Sequence, residues 1–233
     1  MSSPTRSETA PISTWFLIVA CLFVTCLIVS NIVAVKLAVI FGLVLPAAVI
    51  LFPVSYILGD VLTEVYGYAR ARQTIWLGFA CNLLAVLAIA AAGALPAAVE
   101  YWDGQEAFQR ILGNTPRILA ASFLAYLVGE FVNAYVLARL KVATGGRMLW
   151  LRTIGSTLVG QGFDSAIFMT AAFAGILESE ALLAATLTQW LFKSAYEALA
   201  TPLTYAVVGF LKRREGREVF DRDLRFNPLA LSN

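Results

Sequence analysis

The sequence predicts an all-α integral membrane protein of six transmembrane helices, with both termini in the cytoplasm. Three observations carry this. Hydrophobic residues make up 60% of the 233, charged residues 14%, and the mean hydropathy is +0.78. Soluble domains are about half apolar and about a quarter charged, so no soluble core could absorb this much apolar surface. The apolar residues also fall into runs of about 20, the length a helix needs to cross the hydrocarbon core. Finally, basic and acidic residues segregate to alternate loops.

The first run, 15–35, is too long for a signal peptide and lacks its cleavage site. Residues 37–59 are apolar as well, but Gly42 and Pro46 interrupt them. Residues 37–46 therefore read as a loop or re-entrant turn, and 47–66 as the second span, with a kink expected at Pro53. The remaining spans are 74–95, 117–140, 149–176 and 182–211. The tail, 212–233, is polar and is expected to end in a short interfacial helix or in disorder. With no soluble segment and no internal duplication, residues 1–233 form one membrane domain.

Loop charges test the count. The inner segments carry Arg6, Arg70, Arg72, Arg139, Lys141, Arg147, Arg152 and the cluster Lys212, Arg213, Arg214, Arg217, Arg222 and Arg225, most of the 17 basic residues. The outer loops carry Glu100, Asp103, Glu106, Glu178 and Glu180 against Arg110, with Arg117 opening the fourth span. A miscounted span would have broken this alternation. Arg70 and Arg72 then anchor the inner end of span two.

Several chemistries drop out. There is no histidine, which removes HExxH zinc hydrolysis, Ser-His and Cys-His nucleophiles, and histidine haem ligation. Cys21, Cys26 and Cys81 lie inside apolar runs without metal-site or disulfide spacing, and read as small buried hydrophobes. No Walker A motif is present, and a net charge of +2 gives no argument for nucleic acid. No metal or cofactor is expected.

Ionisable residues inside spans mark substrate or ion pathways. Span two carries Asp60, Thr63 and Glu64; span three Asn82; span four Tyr126, Glu130 and Asn133. Span five carries Gln161, Asp164 and Ser165, span six Gln189, Lys193, Tyr196 and Glu197, and span one Asn31 with Lys36 at its outer end. Within each helix the spacing is three or four residues, so each stripe lies on one face, and four such stripes can enclose one polar cavity. Glu130, Asp164, Lys193 and Glu197 fall near the midplane, Asp60 and Glu64 toward the inner end. Glu64 has a second reading, as a solvated carboxylate paired with Arg70 or Arg72. Lys193 precedes Glu197 by one turn, so mutual neutralisation competes with substrate contact there.

Five interior acids (Asp60, Glu64, Glu130, Asp164, Glu197) face two bases, Lys193 and Lys36, so the cavity should favour a cation or a donor-rich neutral ligand. The candidate substrate-binding residues are Asn31, Asp60, Glu64, Asn82, Glu130, Asn133, Gln161, Asp164, Lys193 and Glu197. The amides suit an amide-bearing heterocycle, and Phe52, Tyr56, Tyr126, Phe163, Phe168 and Tyr196 lie where rings could stack on it.

The segments "IVSNIVAVK", "FPVSYILGDVLTEVYGYARARQTIWLGF", "ASFLAYLVGEFVNAYVLARLK", "STLVGQGFDSAIF" and "FKSAYEALATPLTYAVVGFLK" together resemble the queuosine precursor transporter family, also called VUT, over about residues 15–212. The resemblance implies import of 7-cyano-7-deazaguanine and of its cationic 7-aminomethyl relative across the bacterial inner membrane, to serve tRNA queuosine synthesis. It also implies a six-helix fold similar to the substrate-binding subunits of energy-coupling-factor importers, without their ATPases. A guanine-type edge offers adjacent N1–H and amine donors to one carboxylate, with Asp164 or Glu197 favoured for it, and Asp60 a candidate for the aminomethyl cation. The expected partners are this small molecule and the lipid bilayer, with pairing of two copies left open.

Two other functions compete. A true energy-coupling-factor subunit would dock a partner through small residues of span one, where only Ala34 and Ala38 have the spacing, at the outer end. An intramembrane aspartyl enzyme would need paired aspartates, and Asp60 and Asp164 lie at different depths.

Overall fold

A computed structural model describes residues 13–33, 36–40, 43–98, 100–113, 116–216 and 219–221. Arg6, Ala34, Arg217, Arg222 and Arg225 lie outside them, as do the side chains of Phe52 and Arg117.

The fold is helical apart from one small hairpin. Helix α1 (Thr14–Val33) leads into strands β1 (Leu37–Ile40) and β2 (Leu43–Pro46), an antiparallel pair, and then a 3-10 turn at Ala47–Ile50. Helices α2 (Phe52–Tyr66), α3 (Tyr68–Ala94), α4 (Gln105–Leu112), α5 (Pro116–Ala143), α6 (Leu149–Phe173) and α7 (Ser179–Glu215) follow. Helix α2 is the axis: α1, α3, α5 and α7 all pack on it, and α6 closes the bundle against α5 and α7.

Sequence explains this placement. One face of α2, with Ile57, Leu58, Val61, Leu62 and Val65, is apolar and buried with Phe16, Val19 and Phe23 of α1. The opposite face carries Tyr56, Asp60 and Glu64 at successive turns, so the polar stripe is turned inward. Apolar side chains elsewhere point outward, among them Leu22 of α1, Leu84 and Leu87 of α3, and Leu199 of α7. Such an inside-out arrangement is stable only in hydrocarbon. Among the described residues, three helical segments (Thr14–Val33, Tyr68–Ala94 and Ala120–Ala143) are long and apolar enough to cross a membrane by length and composition alone. Helix α2, 15 residues and about 22 Å long, is short for the task. Helices α6 and α7 have the length, at 25 and 37 residues, but their buried polar side chains dilute the apolar signal.

Several boundaries differ from expectation. Residues 37–40 and 43–46 pair as antiparallel strands, both segments being rich in β-branched and leucine residues. Pro53 opens α2 at its first turn and does not kink it, because a missing N–H costs nothing there. Helix α3 starts six residues before the expected position: the chain breaks only at Gly67, whose φ of 85° is ready for glycine alone. Helix α4 lies in the loop between the third and fourth spans, where the sequence has no apolar run of spanning length to mark it. Beyond α7 the tail returns: the Asp221 carboxylate accepts from the Tyr68 N–H at 3.0 Å, capping α3, and the Lys141 ammonium lies 5.0 Å from the Phe220 ring centroid.

Candidate functional site

The polar face of α2 meets α5, α6 and α7 in a buried polar cluster. Helices α5 and α6 approach closely there because small residues face each other. A Cβ on Gly129 would stand 2.8 Å from Asp164 Cβ, and one on Gly160 would stand 2.7 Å from Asn133 Cβ. That contact brings Glu130 and Asn133 of α5 beside Gln161 and Asp164 of α6. Trp190 Nε1 donates to the Leu158 carbonyl at 2.8 Å and ties α7 to α6. Pro202 removes an intrahelical donor from α7 one turn past Glu197, whose own carbonyl accepts from Thr201 Oγ1 at 3.1 Å.

Asp60 is fully buried, and its Oδ1 accepts from Asn133 Nδ2 at 2.9 Å. Lys193 Nζ donates to Asp164 Oδ2 at 2.5 Å. Tyr56 hydrogen-bonds both Lys193 and Gln161. Glu130 lies within electrostatic reach of Asp164, Glu197 and Lys193, and Asp60 within reach of Glu197, Glu130 and Glu64. The core of the site thus holds Asp60, Glu130, Asp164 and Glu197, with the Lys193 ammonium on Asp164 and within reach of Glu130.

What is left unpaired gives the site its chemistry. Asp60 Oδ2, Asn133 Oδ1, Gln161 Oε1 and both carboxylate oxygens of Glu197 are buried with no hydrogen-bond partner among the described residues. All five are acceptors. Asn133 has spent its donor on Asp60, so its free atom is fixed as oxygen by the network. Buried acceptors without donors cost about 1–3 kcal/mol each. A ligand, an ordered water or an ion can supply such donors.

Glu64 lies elsewhere, and Arg70 and Arg72 are not its partners. Arg152 grips its carboxylate from two nitrogens, Nη2 at 2.7 Å and Nε at 3.2 Å, and Lys212 Nζ reaches it at 2.8 Å. Lys141 Nζ donates to the Glu64 carbonyl at 2.5 Å and lies 3.7 Å from Oε1. Arg152 also donates to the Thr144 hydroxyl and the Arg147 carbonyl. This knot binds the basic end of the bundle. Arg70 and Arg72 lie over the Phe16 and Tyr68 rings, at 5.2 and 5.6 Å. Lys141, Arg152 and Lys212 had read only as loop charges; the signal was a carboxylate in the last turn of an apolar helix, which demands a cation.

Lys193 likewise chooses Asp164 across the helix interface, and the expected pair with Glu197 on its own helix does not form. A lysine preceding a glutamate by four residues is the weaker orientation of such pairs. Of the candidate aromatics, Tyr56 faces the cluster. Phe163 and Tyr196 are exposed on the outside of the bundle, and Phe168 packs on Phe173. Asn31 and Asn82 line a separate crevice of about 360 Å³ between α1, α3 and α4.

A bundle with an apolar exterior and a buried set of unpaired acceptors has the character of a membrane transporter for a small solute. Comparison with known proteins agrees. The family model described as "Putative vitamin uptake transporter" matches residues 46–207, and the chain belongs to that family. It is 34% identical over 181 residues to a "Probable queuosine precursor transporter" of Bacillus subtilis (strain 168), covering 76% of this chain and 77% of the relative. It is 29% identical over 122 residues to a "Queuosine precursor transporter" of Escherichia coli (strain K12), covering 52% of each. No solved structure matches the chain.

Proposed function

We propose that this chain imports 7-cyano-7-deazaguanine and 7-aminomethyl-7-deazaguanine across the bacterial cytoplasmic membrane, working alone. In this reading α1, α2, α3, α5, α6 and α7 each cross the bilayer, and the end bearing the Glu64 knot faces the cytoplasm. The observation that carries the proposal is the set of five unpaired buried acceptors. A 7-deazaguanine presents N1–H and the exocyclic amine as adjacent donors, the pattern a carboxylate accepts in two parallel bonds. Glu197, with both oxygens open, suits that edge; Asp164 is held by Lys193. The ring carbonyl requires a donor, which Lys193 or Tyr56 would supply. Asn133 and Gln161 offer acceptors to the pyrrole N–H, and Asp60 Oδ2 offers one to the aminomethyl cation.

The test is calorimetric binding of both deazaguanines to purified protein, with guanine as competitor, on wild type and Asp60→Asn. The aminomethyl compound should lose more affinity than the cyano compound on that substitution, because only the former carries a charge at position 7. Equal losses would move Asp60 to the base edge. No binding of either compound to wild type would refute the substrate assignment.

A further inference from the structure

Asn31 and Asn82 are not part of the acidic cluster, and their setting has its own logic. They face one crevice whose other walls are largely apolar: Ile28 and Ile32 from α1, Ala85 and Val86 from α3, and Phe108 from α4, with Gln109 of α4 as a third amide. Among the described residues, no charged side chain lines it. Its volume of about 360 Å³ falls in the range of small-molecule sites. Helix α4 roofs it, fastened by Gln105 Nε2 to the Gly93 carbonyl at 3.0 Å. Asn82 is 2% exposed, and neither amide is tied to another described residue. A lipid chain filling the crevice would leave both amides unsatisfied, whereas a planar heterocycle with donors and acceptors on its rim would pair them.

On the cluster side of Asn82, side chains of α1 and α5 close on α3. One turn before Asn82, Gly78 receives three side chains: a Cβ there would stand 2.9 Å from the Tyr126 hydroxyl, 3.2 Å from Leu27 and 3.4 Å from Phe23. The Tyr126 hydroxyl is held by the Ile75 carbonyl at 3.2 Å. The same Phe23 ring reaches across to Gly59 of α2, where a Cβ would stand 3.5 Å from it and 3.2 Å from Glu130 Oε2. Phe23 and Tyr126 therefore stand between the crevice and Glu130, seated on two helix surfaces without side chains.

We propose that the crevice between α1, α3 and α4 is an outer docking site, where Asn31 and Asn82 hold an uncharged, amide-edged heterocycle before it passes Phe23 and Tyr126 to the acidic cluster. This rests on the import reading above and adds a second site to it. The experiment uses full-length protein lacking Cys21, Cys26 and Cys81, in intact cells, with Ala85→Cys on the crevice wall and Tyr101→Cys on the open loop. An impermeant thiol reagent applied outside should label both. Saturating 7-cyano-7-deazaguanine should slow labelling at position 85 several-fold and leave position 101 unchanged. In parallel, Asn82→Leu should raise the KM for uptake by about 2- to 10-fold, the worth of a neutral hydrogen bond. Calorimetric affinity at the acidic cluster should remain at the wild-type value; a merely structural Asn82 would move both together. Absence of labelling at 85, or labelling that ignores a ligand the same variant still binds, would overturn the docking site and leave the import reading standing. Failure of wild type to bind the ligand would overturn both.

Discussion

Two glutamates, Glu64 and Glu197, are equally buried and opposite in circumstance. Glu64 is surrounded by Arg152, Lys141 and Lys212, while neither oxygen of Glu197 has a partner. Substitution should therefore separate stability from binding. Glu64→Gln strands three cations at a dry helix end, and breaking a buried ion pair by removing one partner costs about 3–5 kcal/mol. The variant should unfold at a markedly lower temperature in detergent, while the remaining folded protein binds ligand normally. Glu197→Gln replaces an acceptor by a group that also donates, so a donor faces a donor. It should keep the wild-type unfolding temperature and lose about 1.5–3 kcal/mol of binding, roughly 10- to 150-fold. The reverse pattern, with Glu64→Gln impaired in binding alone, would place Glu64 in the site after all.

At the scale of helices, the site depends on the close crossing of α5 and α6. Gly160→Ala would put a methyl group 2.7 Å from Asn133 Cβ, an atom fixed to the backbone that cannot turn aside. The helices must part, and Asn133 is drawn from Asp60. We expect Gly160→Ala to weaken ligand binding at least as much as Asn133→Ala; normal affinity in a folded Gly160→Ala protein would show that the crossing is not what sets the site. Helices of this kind are legible in sequence, and so are their polar stripes, because both follow from local periodicity. The pairing of charges is not. Glu64 finds Arg152 88 residues away, and Lys193 prefers Asp164 on another helix to Glu197 on its own. Asn31 and Asn82 carried the same residue type as the cluster's amides, and only packing assigned them to another space. The early start of α3 was hidden because "YGYARAR" reads as a loop until Gly67 is seen to make the whole turn.

For the molecule as a whole, the import reading requires six crossings, with the acidic loops outside and the Glu64 knot inside. In a background lacking the native cysteines, Asp103→Cys and Glu180→Cys should react with an external impermeant thiol reagent, and Gly146→Cys and Gly216→Cys only after the membrane is opened. Equal labelling of all four would break the six-span arrangement. The central claim is that this bundle alone moves a donor-rich deazaguanine through a core of unpaired acceptors. It is met most directly by uptake of labelled 7-aminomethyl-7-deazaguanine into liposomes containing only the purified chain. Uptake should exceed that of empty liposomes, be blocked by excess 7-cyano-7-deazaguanine, and fall to background with Glu197→Gln at equal protein content. Liposomes whose protein binds the ligand but takes none up would contradict the claim, and would mark the chain as a binding subunit dependent on another protein.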